Sequence, residues 1–148
     1  MEHIPTSRRL TLEDAPLMQA LEATCFSMPW TLEQCCAALK QKQFVAFGVF
    51  GTAELLGYIS YYQIIDELEI VNLAVMPQWR RQGYGRLLML TALQAGQKMG
   101  MHRVCLEVRR LNVAAIKLYE SLGFTRTGCR KRYYCDTGED ALIYEKLF

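Results

Sequence analysis

A glycine-bearing loop between a predicted buried strand and a predicted amphipathic helix constrains the fold of this chain more than any other feature. The loop reads Arg80-Arg81-Gln82-Gly83-Tyr84-Gly85. The segment before it, Leu68 to Met76, is apolar and rich in β-branched residues, and Pro77 ends it because proline has no N–H for a sheet ladder. The chain must therefore place a helix start at one end of a sheet strand.

The helix after this loop is predicted from apolar residues at helical spacing. Its predicted apolar face consists of Leu87, Leu88, Ala92, Leu93, Ala95 and Met99. A helix start has backbone N–H groups without intrahelical partners, and its dipole adds positive charge, so the turn before it suits an anion. Gly83 and Gly85 would let a pyrophosphate approach the backbone closely. Arg80, Arg81 and Arg86 would supply charge, although a plain turn with solvated arginines is the alternative.

Two common nucleotide motifs do not fit this loop. A dinucleotide fingerprint needs a third glycine where Leu88 stands, and a P-loop needs Gly-Lys-Ser/Thr after its glycines. The pattern Arg80-x-x-Gly83-x-Gly85 instead resembles the pyrophosphate-binding loop of the GNAT superfamily of acyltransferases. The resemblance implies that acetyl-CoA is the cosubstrate. It assigns the pyrophosphate to Arg80, Arg81, Gln82, Gly83, Tyr84, Gly85 and Arg86.

Length and composition indicate one globular domain spanning residues 1–148. Apolar residues make up 51% and charged residues 22%, and the net charge of +2 is too small to argue for direct binding to nucleic acid. No apolar run reaches membrane-spanning length, and the first residues lack the apolar stretch of a signal peptide. We therefore expect a cytoplasmic protein without a membrane partner.

Six cysteines raise the alternatives of disulfides or a metal site. They are Cys25, Cys35, Cys36, Cys105, Cys129 and Cys135. No two of them form a C-x-x-C pair, and His3 and His102 are isolated, so we predict no metal site. Buried, reduced thiols are the preferred interpretation.

The remaining elements follow from capping, turn and alternation signals. The predicted order is a strand through Leu12, a helix over Leu17 to Leu21, a loop at Phe26–Trp30, a helix capped by Thr31 with Gln34, strands over Gln43–Phe50, Leu55–Gln63 and Leu68–Met76, the long helix, a strand over Arg103–Val108, a helix from Asn112 to Gly123, and strands over Thr125–Tyr134 and Ala141–Leu147. This order predicts an α/β (α+β) fold with a mixed, mostly antiparallel central sheet and helices on both faces.

That order resembles the GNAT fold over essentially the whole chain. In that family the central strand and the next one part, and the pantetheine arm of the cosubstrate lies in the gap like an added strand. The resemblance assigns pairing with this arm to the backbone of Leu73, Ala74 and Val75.

Glu107 is the first candidate for the chemistry, because it interrupts an otherwise apolar strand. Alternation places it on the face opposite Leu106 and Val108. Acetyl transfer to an amine needs a base, and a carboxylate there could act directly or through water. The alternative is a strand-end glutamate paired with Arg109 or Arg103.

Tyr119 and Asn112 are the next candidates, because helical spacing places them on one face with Ala115. The phenol could protonate the sulfur of CoA, and the Asn112 amide could bind pantetheine as well as cap the helix. The alternative is a core tyrosine and a purely capping asparagine, and spacing alone leaves both open.

Several motifs together resemble the RimI-type N-terminal acetyltransferases, which acetylate the N-terminal alanine of a small-subunit ribosomal protein. The motifs are Leu106-Glu107-Val108, Asn112-x-x-Ala115, Leu118 to Phe124, Phe26 to Trp30, Tyr133-Tyr134 and Gly138 to Ala141. The resemblance implies direct transfer, with Glu107 as general base, Tyr119 as general acid and Asn112 as a CoA ligand. It also implies a peptide groove flanked by Met28, Trp30, Tyr133 and Tyr134. Because adjacent residues of a strand point to opposite faces, the sequence leaves open which of the two tyrosines faces this groove.

Charge patterns leave the acceptor open. Asp66, Glu67 and Glu69 could attract a basic ribosomal tail or form a solvated acidic turn. A basic cluster at Arg126, Arg130, Lys131 and Arg132 would repel such a tail if it lined the groove. The alternatives are acetylation of lysine or a small amine, a non-catalytic acyl-CoA-binding module and, less favoured, a dinucleotide-binding oxidoreductase. We expect a monomer.

Overall fold

The computed structural model describes residues 4–148, which form a seven-stranded sheet with four α-helices. The elements are β1 (Thr6–Arg9), α1 (Ala15–Cys25), α2 (Leu32–Lys40), β2 (Phe44–Phe50), β3 (Leu55–Ile64), β4 (Glu67–Val75), α3 (Tyr84–Lys98), β5 (Arg103–Arg109), α4 (Val113–Ser121), β6 (Thr125–Arg130) and β7 (Ala141–Leu147). The strand order is β1-β2-β3-β4-β5-β7-β6, and only β4 and β5 run parallel. The predicted mixed, mostly antiparallel sheet is confirmed.

Two hydrophobic cores lie on opposite faces of this sheet. The core under α3 and α4 includes Leu88, Met89 and Tyr119, and the core under α1 and α2 includes Met18 and Cys35. Each helix pair buries its apolar stripe against the strands, which removes that surface from water. Helices on both faces are thus confirmed.

Local signals position several elements as predicted. Thr31 Oγ1 accepts the Gln34 N–H at 3.1 Å while Gln34 Oε1 accepts the Thr31 N–H at 2.9 Å, which is the predicted capping box. The Gly51 N–H donates to the Glu54 carbonyl at 3.0 Å and closes the β2–β3 hairpin.

The first strand ends at Arg9, before the predicted limit at Leu12. Asp14 explains the early end, because its Oδ2 accepts the Thr11 N–H at 2.8 Å and draws residues 12–14 into a 3-10 turn. The predicted start of this strand at residues 1–3, with His3, lies outside the described residues.

The buried face of α3 differs in part from the predicted apolar face. Leu88, Ala92 and Leu93 are buried as predicted, but Leu87 is 41% exposed and Met99 is 53% exposed. Met89 and Gly96 are buried in their place. A Cβ at Gly96 would lie 2.6 Å from Leu68 Cδ1, so the helix turns its glycine, not its larger residues, towards β4 at this point.

The strand predicted to reach Tyr134 ends at Arg130. Arg132 adopts a positive φ of 51°, and its N–H donates to Asp140 Oδ1 at 3.0 Å. This bond turns the chain out of the sheet, so Tyr133 and Tyr134 lie in the β6–β7 loop and not in a strand.

All six cysteines are free thiols, but only Cys35 is buried. Cys135 is exposed, and the other four are partly buried, so the prediction of buried thiols is wrong for five positions. Within residues 4–148 no group of three or more His, Cys, Asp or Glu side chains could hold a metal ion. In the same range, no helix combines the length and apolar character needed to cross a membrane.

Candidate active site

Strands β4 and β5 part after their first three residues. They pair only where Glu67–Glu69 meet Arg103–Cys105. Nearby, Ser60 of β3 faces Asn72 while Tyr61 faces Ile70, so Val71 has no partner residue and forms a β-bulge. The parting leaves unpaired strand edges facing one another, as the resemblance implied, and opens a cavity of about 710 Å³.

Eight of the predicted site residues line this cavity. They are Met28, Trp30, Leu73, Glu107, Asn112, Tyr119, Tyr133 and Tyr134. The other predicted residues, Ala74, Val75 and Arg80 to Arg86, lie at the end of β4 and at the start of α3. The structure therefore brings the predicted chemical groups together at one cavity, and places the predicted pyrophosphate loop outside its lining.

The loop before α3 begins with Arg80, whose Nε donates to the Val75 carbonyl at 2.9 Å. Gly83 is the N-cap in a left-handed conformation, with φ 86°. The first intrahelical bond of the following turn runs from the Leu87 N–H to the Gly83 carbonyl at 3.0 Å. The N–H groups of the preceding helical residues are thus available to an anion.

Both loop glycines leave space beside the backbone. Among residues 4–148, a Cβ at Gly83 would meet no atom within 4 Å, and one at Gly85 would meet only Leu118 Cδ2 at 3.7 Å. Arg86 is partly committed elsewhere, because its Nη1 donates to Ser121 Oγ at 3.1 Å. The space beside these two glycines therefore allows a phosphate to approach the backbone of this turn.

Glu107 lies on β5, where buried and half-buried residues alternate as predicted. Its side chain is 28% exposed, and its Oε1 pairs with Arg130 Nε at 2.9 Å. The alternative prediction, in which Glu107 pairs with Arg109 or Arg103, is wrong. Arg103 binds Glu67 and Glu145, and Arg109 binds the β6–β7 loop. Glu107 therefore reaches the cavity as an ion-paired carboxylate.

Tyr119 is both a core residue and a cavity residue. It is only 6% exposed and packs against Phe124, yet it lines the cavity. Burial raises the pKa of Tyr119 to about 12. The phenol thus keeps its proton at neutral pH, which a general acid requires.

Asn112 caps α4, because its Oδ1 accepts the Ala115 N–H at 3.3 Å. The capping prediction is confirmed, and the side chain also lines the cavity. Since the cap uses the amide oxygen, the Asn112 NH₂ group is left as a hydrogen-bond donor.

Both tyrosines of the β6–β7 loop line the cavity, so the expected choice between two strand faces does not arise. Their rings meet edge to face with centroids 5.1 Å apart. The Glu107 carboxylate raises the pKa of Tyr133, and burial raises the pKa of Tyr134, whose ring lies 4.0 Å from the Arg109 guanidinium. These contacts fix the loop over the cavity.

A polar bridge that was not predicted joins the two loops through Arg109, which lines the cavity. Arg109 Nη1 and Nη2 donate to the two Asp136 oxygens at 3.0 and 2.9 Å, and Ser27 donates to the same carboxylate. These hydrogen bonds, chiefly from Arg109, lower the pKa of Asp136 to about 2. The bridge connects the α1–α2 loop to the β6–β7 loop through the end of β5.

Glu22 on α1 is a second residue that sequence reasoning missed. It is fully buried in the cavity wall, and its Oε1 accepts from Asn72 Nδ2 at 2.9 Å. Burial raises the pKa of Glu22 to about 7, although hydrogen bonds with Tyr58, the Trp30 backbone and Asn72 lower it. The available signal was its spacing of four from Met18, which places a carboxyl on the apolar face of the helix.

Neither the predicted acidic group nor the predicted basic cluster lines the cavity as a whole. Glu69 lines the cavity, but Asp66 does not and Glu67 binds Arg103. Of the basic cluster only Arg130 lines the cavity, where it pairs with Glu107. The lining near these strands therefore carries more negative than positive side chains.

Comparison with known proteins gives a consistent picture. The model of the acetyltransferase (GNAT) family matches residues 12–124. The chain is 34% identical over 140 residues to the [ribosomal protein bS18]-alanine N-acetyltransferase of Escherichia coli K12, covering 93% of this chain and 94% of that protein. It is 30% identical over 136 residues to the protein of that name from Salmonella typhimurium LT2, with 90% and 91% covered.

Solved structures show the same likeness. The crystal structure of the ribosomal-protein-S18-alanine N-acetyltransferase from Escherichia coli superposes with a TM-score of 0.91 at 31% identity, covering 97% of this chain and 94% of that one. Ard1 from Thermoplasma volcanium superposes with a TM-score of 0.88 at 25% identity, covering 97% of both chains.

Proposed function

The chain belongs to the GNAT family of acetyltransferases, and from this premise we propose that it acetylates the α-amine of an N-terminal alanine in a small-subunit ribosomal protein, with acetyl-CoA as the acetyl donor. One observation carries the proposal: a single cavity between the parted strands is lined by Glu107, Asn112 and Tyr119. The names of the similar bacterial proteins supply the acceptor.

The acetyl-CoA site is proposed at the edge of β4 and the start of α3. Beyond Glu69, the edge of β4 that faces β5 has no strand partner, and at Leu73, Ala74 and Val75 this edge offers ladder groups to the pantetheine amides, although the Val75 carbonyl already accepts from Arg80 Nε. The turn from Arg80 to Arg86 offers N–H groups, positive charge and the open space at its two glycines to the pyrophosphate. The Asn112 NH₂ group is placed to donate to the same arm.

Acetyl-CoA supplies an acetyl group activated as a thioester. In the proposed mechanism Glu107 accepts a proton from the α-amine nitrogen, directly or through water, so that the nitrogen lone pair can attack the carbonyl carbon. Tyr119 donates its phenolic proton to the departing sulfur. An α-amine has an ordinary pKa near 8, so a carboxylate base suffices at neutral pH, whereas a lysine amine near 10.4 needs more assistance.

The acceptor peptide is proposed to enter between the α1–α2 loop and the β6–β7 loop. Met28 and Trp30 would line one side, and Tyr133 and Tyr134 the other. Glu69 and Glu107 favour a basic tail, because negative groups near a binding cleft attract positive ligands. A ribosomal acceptor would place the reaction in the cytoplasm, and we propose that one monomeric domain carries it out.

Mass spectrometry of a peptide panel tests the proposal. The panel holds the alanine-starting tail of a small-subunit ribosomal protein, the same tail with a blocked N-terminus, and lysine-bearing peptides with small amines. Acetylation confined to the free α-amine is the expected result. Acetylation of lysines or small amines alone would refute the acceptor, and acetyl-CoA binding without transfer to any amine would indicate a non-catalytic module.

A further inference from the structure

The side-chain amide of Asn72 is held in one orientation. Its Nδ2 donates to Glu22 Oε1 at 2.9 Å and to the Tyr58 hydroxyl oxygen at 3.2 Å. An amide NH₂ has two hydrogens, so both are committed to buried partners. Glu22 Oε1 and the Tyr58 hydroxyl oxygen both accept from Nδ2, which places the amide nitrogen, and not the oxygen, on the side of Glu22. The Oδ1 atom is therefore the polar atom that Asn72 retains for other contacts.

Asn72 occupies a central position in the site. It follows the bulged residue Val71 on β4, it is half-buried, and it lines the cavity. Two residues further along the same strand, Ala74 packs into the core under α1 and α2. Because strand residues alternate between faces, Asn72 is directed to the α1 and α2 side of the sheet.

Glu107 is directed to the same side. Its neighbours Leu106 and Val108 pack into the opposite core, under α3 and α4, so alternation turns Glu107 towards α1 and α2. Asn72 and Glu107 thus face the same half of the cavity from the two strands that part. A nitrogen close to Glu107 lies in the half of the cavity that Asn72 borders.

We propose that Asn72 Oδ1 accepts a hydrogen bond from the α-amine of the acceptor, and that Glu22 is a positioning residue that holds the amide in this orientation. The inference rests on the proposed function. A neutral oxygen suits this role, because it orients the nitrogen without favouring the charged ammonium form as strongly as a carboxylate would. No proton is transferred to Asn72, so the nitrogen remains free to lose one to Glu107.

A ligand that lacks only the amine isolates this contact. The alanine-starting peptide is compared with the same peptide bearing a propanoyl group in place of alanyl, and binding is measured by calorimetry with CoA present, so that no transfer occurs. In Asn72→Ala we expect binding of the amine peptide to weaken about tenfold, the loss typical of one hydrogen bond to a charged group. Binding of the propanoyl peptide should change less than about twofold.

Equal weakening of both peptides, or of neither, would overturn the inference. Asn72→Val, which introduces a β-branched strand former and has no hydrogen-bond acceptor in its side chain, repeats the comparison if the alanine variant does not fold. If the wild-type protein acetylates no α-amine in the peptide panel, the proposed function fails and this inference fails with it. If the wild-type protein is active but the two peptides respond alike, only the inference fails.

Glu22 gives a second, independent test. Glu22→Gln keeps an oxygen that can accept from Asn72, so affinity for the amine peptide should stay within about threefold of wild type. Glu22→Leu removes the acceptor and frees the amide to rotate, so this variant should approach the loss seen in Asn72→Ala, again for the amine peptide only. A purely structural role for Glu22 would weaken both peptides equally, and that result would contradict positioning.

Discussion

Glu107 Oε1 and Arg130 Nε lie 2.9 Å apart and form an ion pair that spans β5 and the end of β6 at the cavity. Because the Arg130 side chain is 57% exposed, the pair contributes little to stability. Its consequence is orientation, since the bond holds one carboxylate oxygen of Glu107 at the cavity.

Replacement of this carboxylate tests its role as the base. Glu107→Gln keeps the shape of the side chain but cannot accept a proton, so we expect kcat/KM to fall about 100-fold or more, with acetyl-CoA affinity unchanged. Steady-state kinetics and calorimetry measure the two quantities. Glu145→Gln is the matched control, because Glu145 lines the same cavity but binds Arg103, and its activity should stay within about twofold. Equal losses in both variants would contradict a specific role for Glu107.

Removal of the Tyr119 hydroxyl tests the general acid. Tyr119→Phe keeps the buried ring, so we expect the melting temperature and acetyl-CoA affinity to persist while kcat falls about 100-fold. Tyr144→Phe is the control, because Tyr144 is equally buried but is not part of the cavity lining. Unchanged turnover in Tyr119→Phe would exclude the phenol from proton transfer.

Much of the fold was predictable because its signals are local. The capping box at Thr31, the Gly51–Glu54 turn and the alternation around Glu107 each act within a few residues. The errors arise where distant residues decide the outcome. Asp140 ends β6 early by binding the Arg132 N–H, and Leu68 selects which side of α3 packs inward.

The candidate site was predictable to a smaller extent. Glu107, Asn112 and Tyr119 carry motif signals, and the structure brings them to one cavity. The Glu107–Arg130 pair joins residues 23 positions apart, and the Glu22–Asn72 bond joins residues 50 apart, so sequence spacing gives no indication of either. Such long-range polar contacts depend on the sheet register, which the chain establishes only on folding.

Gly85 tests the proposed pyrophosphate site separately from stability. A Cβ there meets only an ordinary contact at 3.7 Å, and alanine is the better helix former, so Gly85→Ala should fold as stably as wild type. We expect acetyl-CoA to bind at least about tenfold more weakly, because the methyl group keeps a phosphate from the backbone. Gly96→Ala should show the reverse, with a lower melting temperature from its clashes and unchanged affinity. Normal acetyl-CoA affinity in Gly85→Ala would place the pyrophosphate elsewhere.

The Arg109–Asp136–Ser27 bridge should govern the acceptor and not acetyl-CoA. Asp136→Asn removes the charge that holds both loops, so we expect the KM for peptide to rise about three- to tenfold, with the KM for acetyl-CoA unchanged. Ser27→Ala should have a smaller effect, and the double variant should be less than additive because the two residues share one contact. Additive effects would show that the loops act independently.

The pKa of Glu22 in the folded protein, about 7, lies well above that of an unfolded chain, about 4.3. The folded state therefore binds this proton more tightly, and the associated stability is complete below about pH 4 and is lost as the pH rises through 7. Tyr58 from β3, Cys25 on α1 and Cys35 from α2 are the titratable groups that interact with Glu22, and burial keeps all three neutral over this range by raising the pKa of each.

The glutamine of Glu22→Gln does not titrate. The free energy of unfolding of this variant, minus that of wild type, should therefore increase by about 2 kcal/mol from pH 5 to pH 8. Urea denaturation of both proteins at the two pH values measures this difference, and the comparison cancels the titration of every other group. A difference that is the same at both pH values would show that Glu22 is ionised throughout. The expected result pairs greater stability at pH 8 with nearly normal acceptor binding, because the amide supports Asn72 without the cost of a buried charge.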